Sequence, residues 1–112
     1  MEYELRELLS VNGYSPFAEW YATLESVAAA KVRVALVRLE LGNWSNVEWF
    51  RGIGEYKIDW GPGLRIYLAR DDLNIILLIG GGTKKRQQRD IEQAITLWED
   101  YKRRKASAQK GT

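Results

Sequence analysis

The run from Ile75 to Ile79, which reads IILLI, constrains the possible folds of this chain more than any other stretch. A membrane-spanning helix needs about 20 apolar residues, so this run is far too short to cross a bilayer. A strand buried on one face only would alternate apolar and polar residues, and this run does not alternate. It is therefore predicted to be a central β-strand covered on both faces, within a single domain of 112 residues.

The segments around this strand predict an α+β fold. Ser15 and Pro16 are suited to begin a helix, and apolar residues at helical spacing follow as far as Gly42. Because this segment is long for one globular helix, a bend near Ser26 is expected to fold it into a helical hairpin. Strand-like runs lie between this segment and the central strand. After that strand, an apolar stripe predicts a C-terminal helix with the members Ile91, Ala94, Ile95, Trp98 and Tyr101.

The two ends of the chain have different characters. YELRELL, near the N-terminus, is predicted to be a first strand, and the polar residues 106–112 are predicted to be a disordered tail. The acidic N-terminus lacks the basic, apolar and small-residue order of a secretory signal. A cytoplasmic protein with no membrane association is therefore expected.

The segment around the turn GPG predicts a hairpin with one polar face. Lys57 and Asp59 alternate with apolar residues before the turn, and Arg65 and Tyr67 alternate with apolar residues after it. If the three turn residues alone form the loop, Asp59 lies opposite Arg65 and Lys57 lies opposite Tyr67. The four side chains are then expected to share one exposed patch. This patch is either an ordinary polar surface with a weak ion pair or part of a site.

A dense group of cations follows the central strand, in the sequence GGGTKKRQQRD. Residues 1–83 carry 8 basic and 11 acidic side chains, a net charge of −3, whereas residues 84–112 carry 9 and 4, a net charge of +5. Cations are mildly unfavourable where a helix begins, and the free N–H groups of a helix start bind anions. The group is interpreted either as a phosphate site or as a solvated loop, and its members are Lys84, Lys85, Arg86 and Arg89.

The residue types that are missing limit the chemistry. With no cysteine and no histidine, the chain is expected to have no disulfide, no thiolate nucleophile, no metal site and no cofactor. RNA cleavage needs none of these, because attack of a 2′-hydroxyl on its own phosphate requires an acid, a base and cations around the pentavalent centre. A lysine among other cations has a lowered pKa and can act as acid or base, and arginine can bind phosphate with two hydrogen bonds.

Three segments occur in the order RLELGN, GIGEYKIDWGPGLRIYL and IILLIGGGTKKRQQRDIEQAITLWEDY. Together they resemble the addiction-module killer branch of the RelE/ParE-like toxin superfamily, over residues 17–101. The resemblance implies an α+β fold in which an N-terminal helical hairpin packs on a small antiparallel sheet with a C-terminal helix, as in small microbial ribonucleases. It also implies a type II toxin that inhibits translation by cleaving ribosome-bound mRNA, as a metal-independent endoribonuclease.

The resemblance further implies a set of partners. A cognate antitoxin, often a small helix-turn-helix protein, would hold the toxin inactive and would be its link to operator DNA. The substrates would be mRNA and the ribosome. Two alternatives stay open, since one arm of the superfamily poisons DNA gyrase, and the same fold can serve as a non-enzymatic binding module of phage origin.

By motif position, the resemblance assigns Arg65, Lys84 and Lys57 to the site, with Lys57 standing where an arginine is usual. Arg65 is expected to bind the scissile phosphate. Lys84, together with the next lysine, is expected to hold or protonate it, and Lys57 or Tyr67 is expected to act at the 2′-hydroxyl. Contacts to RNA phosphates are expected from three further cations, Lys85, Arg86 and Arg89.

Overall fold

A computed structural model describes residues 2–110 of the chain. Its elements in chain order are β1 (Glu4–Glu7), α1 (Pro16–Ala22), α2 (Ser26–Glu40), β2 (Val47–Phe50), β3 (Ile53–Ile58), β4 (Leu64–Asp72), β5 (Ile75–Thr83) and α3 (Gln87–Lys110). A single 3-10 turn, Lys84–Arg86, joins β5 to α3. Over the described residues, no helix has the length and apolar character needed to cross a membrane.

The five strands form one mixed sheet in the order β1-β5-β4-β3-β2. β1 runs parallel to β5, and each of the other neighbouring pairs is antiparallel. The α+β class and the first strand are therefore found, but the predicted arrangement of an N-terminal helical hairpin on a small antiparallel sheet is wrong. The chain begins with a strand, and that strand pairs with one some 70 residues later, a pairing that local sequence patterns do not reveal.

The break between the two helices has a local cause. Ser15 Oγ accepts a hydrogen bond from the Ala18 N–H at 3.0 Å, which starts α1 as predicted. Thr23 Oγ1 donates to the Trp20 carbonyl at 2.6 Å where α1 ends, and the Glu25 carboxylate accepts from the Ala28 N–H at 2.9 Å where α2 begins. The two helices then pack on different strands, α1 on β5 and α2 on β1 and β3, rather than forming a hairpin.

β5 is buried on both faces, as the IILLI run predicts. Ile76 and Leu78 belong to a core beneath α1 and α2, whereas Leu77 and Ile79 belong to a second core beneath α3. Trp98 of α3 is 7% exposed and closes this second core. The central strands of the sheet are therefore covered by helices on both faces, whereas the edge strands β1 and β2 keep exposed polar residues.

The register of the central hairpin differs from the predicted one by two residues. Lys57 lies opposite Arg65, and Glu55 lies opposite Tyr67. The loop covers residues 59–63 rather than GPG alone, because the Trp60 N–H donates to the Ile58 carbonyl and the Gly63 N–H donates to the Trp60 carbonyl. A shift of two residues keeps every side chain on its face, so the alternating pattern cannot detect it.

Half of the polar face predicted to be exposed is buried, whereas Lys57 and Asp59 are exposed as predicted. Arg65 is 8% exposed and Tyr67 is 1% exposed. At the C-terminus, α3 continues through Lys110, so residues 106–110 of the predicted tail are helical. The last two residues of that tail, 111 and 112, lie outside the described residues.

Candidate functional site

Three of the predicted site residues line one cleft of about 380 Å³ at the end of the sheet: Lys57, Arg65 and Lys84. The loop of residues 59–63 forms the rest of the wall and contributes the Asp59 carboxylate. We call this space the basic cleft. Its residues come from the end of β3, the start of β4 and the turn after β5, so three adjacent strands fix its shape.

Backbone pairing positions the three cations. Lys57 and Arg65 are direct cross-strand partners on β3 and β4. The Lys84 N–H donates to the Gly63 carbonyl at 2.9 Å, which ties the turn after β5 to the loop. Gly63 has a φ of +77°, and a Cβ there would lie 3.3 Å from Arg65 Nη1 and 3.2 Å from Lys84 Cβ. The lack of a side chain at Gly63 therefore leaves Arg65 and Lys84 as close neighbours.

A buried carboxylate lies beneath the cleft. Glu55 is 1% exposed, with Oε2 3.8 Å from Arg65 Nε and Oε1 3.9 Å from Lys57 Nζ. Both distances are too long for hydrogen bonds. Gln87 Nε2 donates to Oε1 at 3.0 Å and to Oε2 at 2.8 Å. The two cations and the amide together compensate a charge that would otherwise be costly to bury.

Arg65 is buried without a full set of hydrogen bonds. Its Nη1 donates to the Leu64 carbonyl at a long 3.3 Å, and its buried Nε has no hydrogen-bond partner within residues 2–110. Buried donors in proteins are nearly always paired, and a guanidinium presents its N–H groups in a fork that matches phosphate. Arg65 thus brings a buried cation to the cleft, while its Nε is enclosed beside the Glu55 carboxylate.

The two lysines stand at the rim of the cleft and reach solvent. Lys57 Nζ donates to Glu48 at 3.1 Å, and its side chain is 46% exposed. Lys84 is also exposed. Three cations therefore line the cleft from its floor to its mouth, with Asp59 in the wall and with Glu48 and Glu55 as partners of Lys57 and Arg65 outside it.

Tyr67 is not part of this cleft. It borders a second cleft of about 320 Å³ between α1 and α3. Its buried hydroxyl lies near the Glu55 carboxylate but makes no well-formed hydrogen bond within the described residues. Burial, reinforced by the negative charge of Glu55, raises the pKa of the Tyr67 hydroxyl well above its usual value. The structure therefore does not place Tyr67 beside Lys57 for work at a 2′-hydroxyl.

The other predicted cations point away from the basic cleft or lie in solvent. Arg86 lines the second cleft together with Asp90 and Trp20, and Lys85 and Arg89 are exposed. Burial raises the pKa of the Asp90 carboxyl, an effect that Arg86 and Arg89 partly oppose. The dense cationic sequence thus divides between two clefts and open surface.

The glycines before these cations have a packing role instead of forming a phosphate loop. Gly80, Gly81 and Gly82 all lie within β5. A Cβ at Gly81 would collide with the ring of Trp20 from α1, and a Cβ at Gly82 would collide with the Asp90 carboxylate from α3. Bare backbone lets both helices approach the strand. The backbone N–H of Lys84 is not free for an anion, because it donates to the Gly63 carbonyl.

Sequence patterns missed Glu55 and Gln87. Glu55 lies on the same face of the alternating strand as Lys57 and Asp59, so alternation could have identified it as a neighbour of the site. Gln87 carries no such signal, because its contact with Glu55 depends on where α3 begins after the 3-10 turn. Within the described residues, no three carboxylates or other metal-binding side chains are grouped so that they could hold a metal ion.

Comparison with known proteins gives one informative match. No family model matches the chain. A protein of Haemophilus influenzae, described as "Uncharacterized protein", is 36% identical to it over 83 residues. The match covers 72% of this chain and 84% of that protein.

Proposed function

This chain belongs to the same family as the Haemophilus influenzae protein, and from the geometry of its basic cleft we propose that it is an endoribonuclease. One observation carries the proposal. Lys57, Arg65 and Lys84 converge on a single cleft, so cations from three adjacent strands can meet one anionic ligand there. Such an arrangement favours a phosphodiester over a neutral or cationic ligand.

The chemistry we propose is attack of a 2′-hydroxyl on the adjacent phosphate. Arg65 would bind the nonbridging oxygens and stabilise the charge that grows on them in the transition state. Lys84 at the rim would support the same charge or protonate the leaving oxygen. The energy for this stabilisation comes from cations that the sheet holds in place before the substrate binds.

The proton of the 2′-hydroxyl needs an acceptor. Lys57 Nζ donates to Glu48 at 3.1 Å, and an ammonium group has no lone pair with which to accept that proton. Asp59 is the carboxylate in the wall of the same cleft, and it can accept a proton. We therefore assign the role of general base to Asp59, and a positioning role to Glu55 through its contacts with the two cations.

The biological setting we propose is that of a type II toxin acting in the cytoplasm. Its substrate would be mRNA bound to the ribosome, and a cognate antitoxin would hold it inactive. The resemblance described above supports this setting, and a cleft rich in cations is consistent with an acidic inhibitor as well as with RNA.

The test is to add the purified protein to a translation extract and to map the ends of a reporter mRNA, with and without ribosomes. Arg65→Lys keeps the charge but loses the fork of donors, so it should reduce cleavage at least about tenfold. Arg103→Ala is the control, because Arg103 has a side chain that is 72% exposed on α3, far along the sequence from the cleft residues.

New mRNA ends that disappear with Arg65→Lys and persist with Arg103→Ala would support the proposal. Intact mRNA from a protein that still arrests growth would overturn it, and a gyrase supercoiling assay would then test the gyrase alternative. Intact mRNA without growth arrest would favour a binding module.

A further inference from the structure

Helix α2 carries a second apolar face in addition to the one that builds the core. The inner face, with Ala28, Val32, Ala35 and Leu39, is buried against the sheet. The opposite side carries Val27, Ala30, Val34, Val37 and Leu41, which we call the outer stripe. Its four large members are 48%, 51%, 52% and 59% exposed, in the order Val27, Val34, Val37 and Leu41.

The spacing of the outer stripe is that of a helix-packing seam. Val27, Val34 and Leu41 recur every seven residues, and Ala30 and Val37 fall between them at the same interval. These are the a and d positions of a heptad repeat, whose side chains interlock with those of a facing helix. The described elements of the chain leave the seam uncovered, so any facing helix has to come from elsewhere.

The charges beside the seam show which helix fits. Lys31 and Arg38 occupy the two e positions, and Arg33 and Glu40 occupy g positions. In an antiparallel pair of α2 helices the basic e positions would face each other, and in a parallel pair Arg33 would face Arg38 of the second copy. In the antiparallel pair Arg33 would also face Glu40 of the second copy, so attraction on one flank would offset the repulsion on the other. The two flanks of one α2 helix nevertheless carry three cations and one anion, so acidic flanks on a different helix would complement them better than a second copy would.

We propose that the outer stripe binds an amphipathic helix of another protein, with aliphatic residues on the seam and acidic residues beside Lys31 and Arg38. Nucleic acid would use the cations but would leave four aliphatic side chains exposed, so a protein helix explains more of this surface. The inference does not depend on the reaction proposed for the basic cleft.

The position of this surface gives the partner a direct route to the cleft. Lys31 and Arg38 line a groove of about 250 Å³ that continues to Lys57 and Asp59. Those two residues also line the basic cleft. An acidic helix on the outer stripe would lie beside the mouth of the cleft and change the electrostatic potential there.

The test uses a labelled synthetic helix of about four heptads, with leucine at a and d and glutamate at e and g, and a second helix with lysine at e and g. Binding to the full chain is followed by fluorescence anisotropy. The acidic helix should bind at least about tenfold more tightly than the basic one. Combining Lys31→Glu with Arg38→Glu should reverse that preference.

Stripe variants locate the contact. Val34→Asp with Val37→Asp should weaken binding of the acidic helix at least about tenfold, while Leu73→Asp, at a side chain 75% exposed between β4 and β5, should not. Circular dichroism confirms that each variant is folded. The proposal is overturned by the absence of saturable binding, by equal affinity for both helices, by a preference that survives the charge reversal, or by self-association that Val34→Asp abolishes.

Discussion

The Glu55 carboxylate lies 3.8 Å from Arg65 Nε beneath the basic cleft, and both side chains are buried. The distance is too long for a hydrogen bond but short enough for the two charges to stabilise each other strongly where water is excluded. Glu55 therefore compensates the charge of Arg65 from beneath the cleft without a hydrogen bond to its Nε.

Glu55→Gln should destabilise the protein by about 3 kcal/mol, because it leaves a buried guanidinium without its counter-charge. Glu48→Gln is the matched control. Glu48 is an exposed partner of Lys57, so its loss should cost less than about 1 kcal/mol. Urea denaturation of the two variants measures the difference. Equal losses would mean that Glu55 has no special role under the cleft.

Tyr67→Phe should leave RNA cleavage unchanged and should maintain or raise stability by about 1 kcal/mol. The substitution removes a buried hydroxyl that makes no well-formed hydrogen bond within the described residues. Cleavage rates in the translation extract and a thermal denaturation midpoint provide the two measurements. A large loss of cleavage with unchanged stability would restore Tyr67 as a participant at the 2′-hydroxyl.

The elements of the fold were predictable wherever a residue's neighbours in sequence are also its neighbours in space. The capped start of α1, the stripe of α3 and the two-sided burial of β5 all follow from short-range patterns. The parallel pairing of β1 with β5 was not predictable, because Glu4 and Ile75 meet only through the tertiary fold. The register error at Lys57 had another cause, since a slip of two residues preserves both faces.

The site was predictable in its membership more than in its geometry. Motif position assigned Lys57, Arg65 and Lys84 to one site, and the sheet brings the three together in one cleft, while their role in a reaction stays a prediction. The alternating pattern placed Tyr67 on an exposed patch, because alternation alone does not show that α3 covers that face. The density of charge in the sequence also suggested that the cations act together. Arg86 follows Lys84 by only two residues, yet it lines a different cleft.

Gly81→Ala should destabilise the protein by about 2 kcal/mol or more, because the new methyl group would meet the ring of Trp20 and push α1 from β5. Gly80→Ala is the matched control one residue earlier, since a Cβ there meets nothing within 4 Å. Its effect should stay within about 0.5 kcal/mol. Similar losses for the two variants would contradict the packing role assigned to Gly81.

Asp90→Asn should stabilise the protein at neutral pH, and the gain should vanish in acid. Burial raises the pKa of the Asp90 carboxyl above its ordinary value of 3.8. The folded state therefore binds a proton more tightly than the unfolded state, so the stability of the parent falls as pH rises through 3.8 to the folded pKa. Asparagine has nearly the same shape as aspartate and fits over Gly82 in the same way. It does not ionise, so the loss of stability with rising pH should disappear.

Glu92→Gln should lower the stability at neutral pH, whereas Asp90→Asn should raise it. Arg51 hydrogen-bonds Glu92 and lowers the pKa of its carboxyl below the ordinary value of 4.5. The contribution of the Arg51–Glu92 pair to stability is therefore present above pH 4.5 and is lost as the pH falls through the folded pKa of Glu92. Thermal denaturation midpoints between pH 3 and pH 7 should therefore separate at neutral pH, with Asp90→Asn above the parent and Glu92→Gln below it, and converge in acid. Parallel curves for the parent and Asp90→Asn would show that Asp90 has the same proton affinity in the folded and unfolded states.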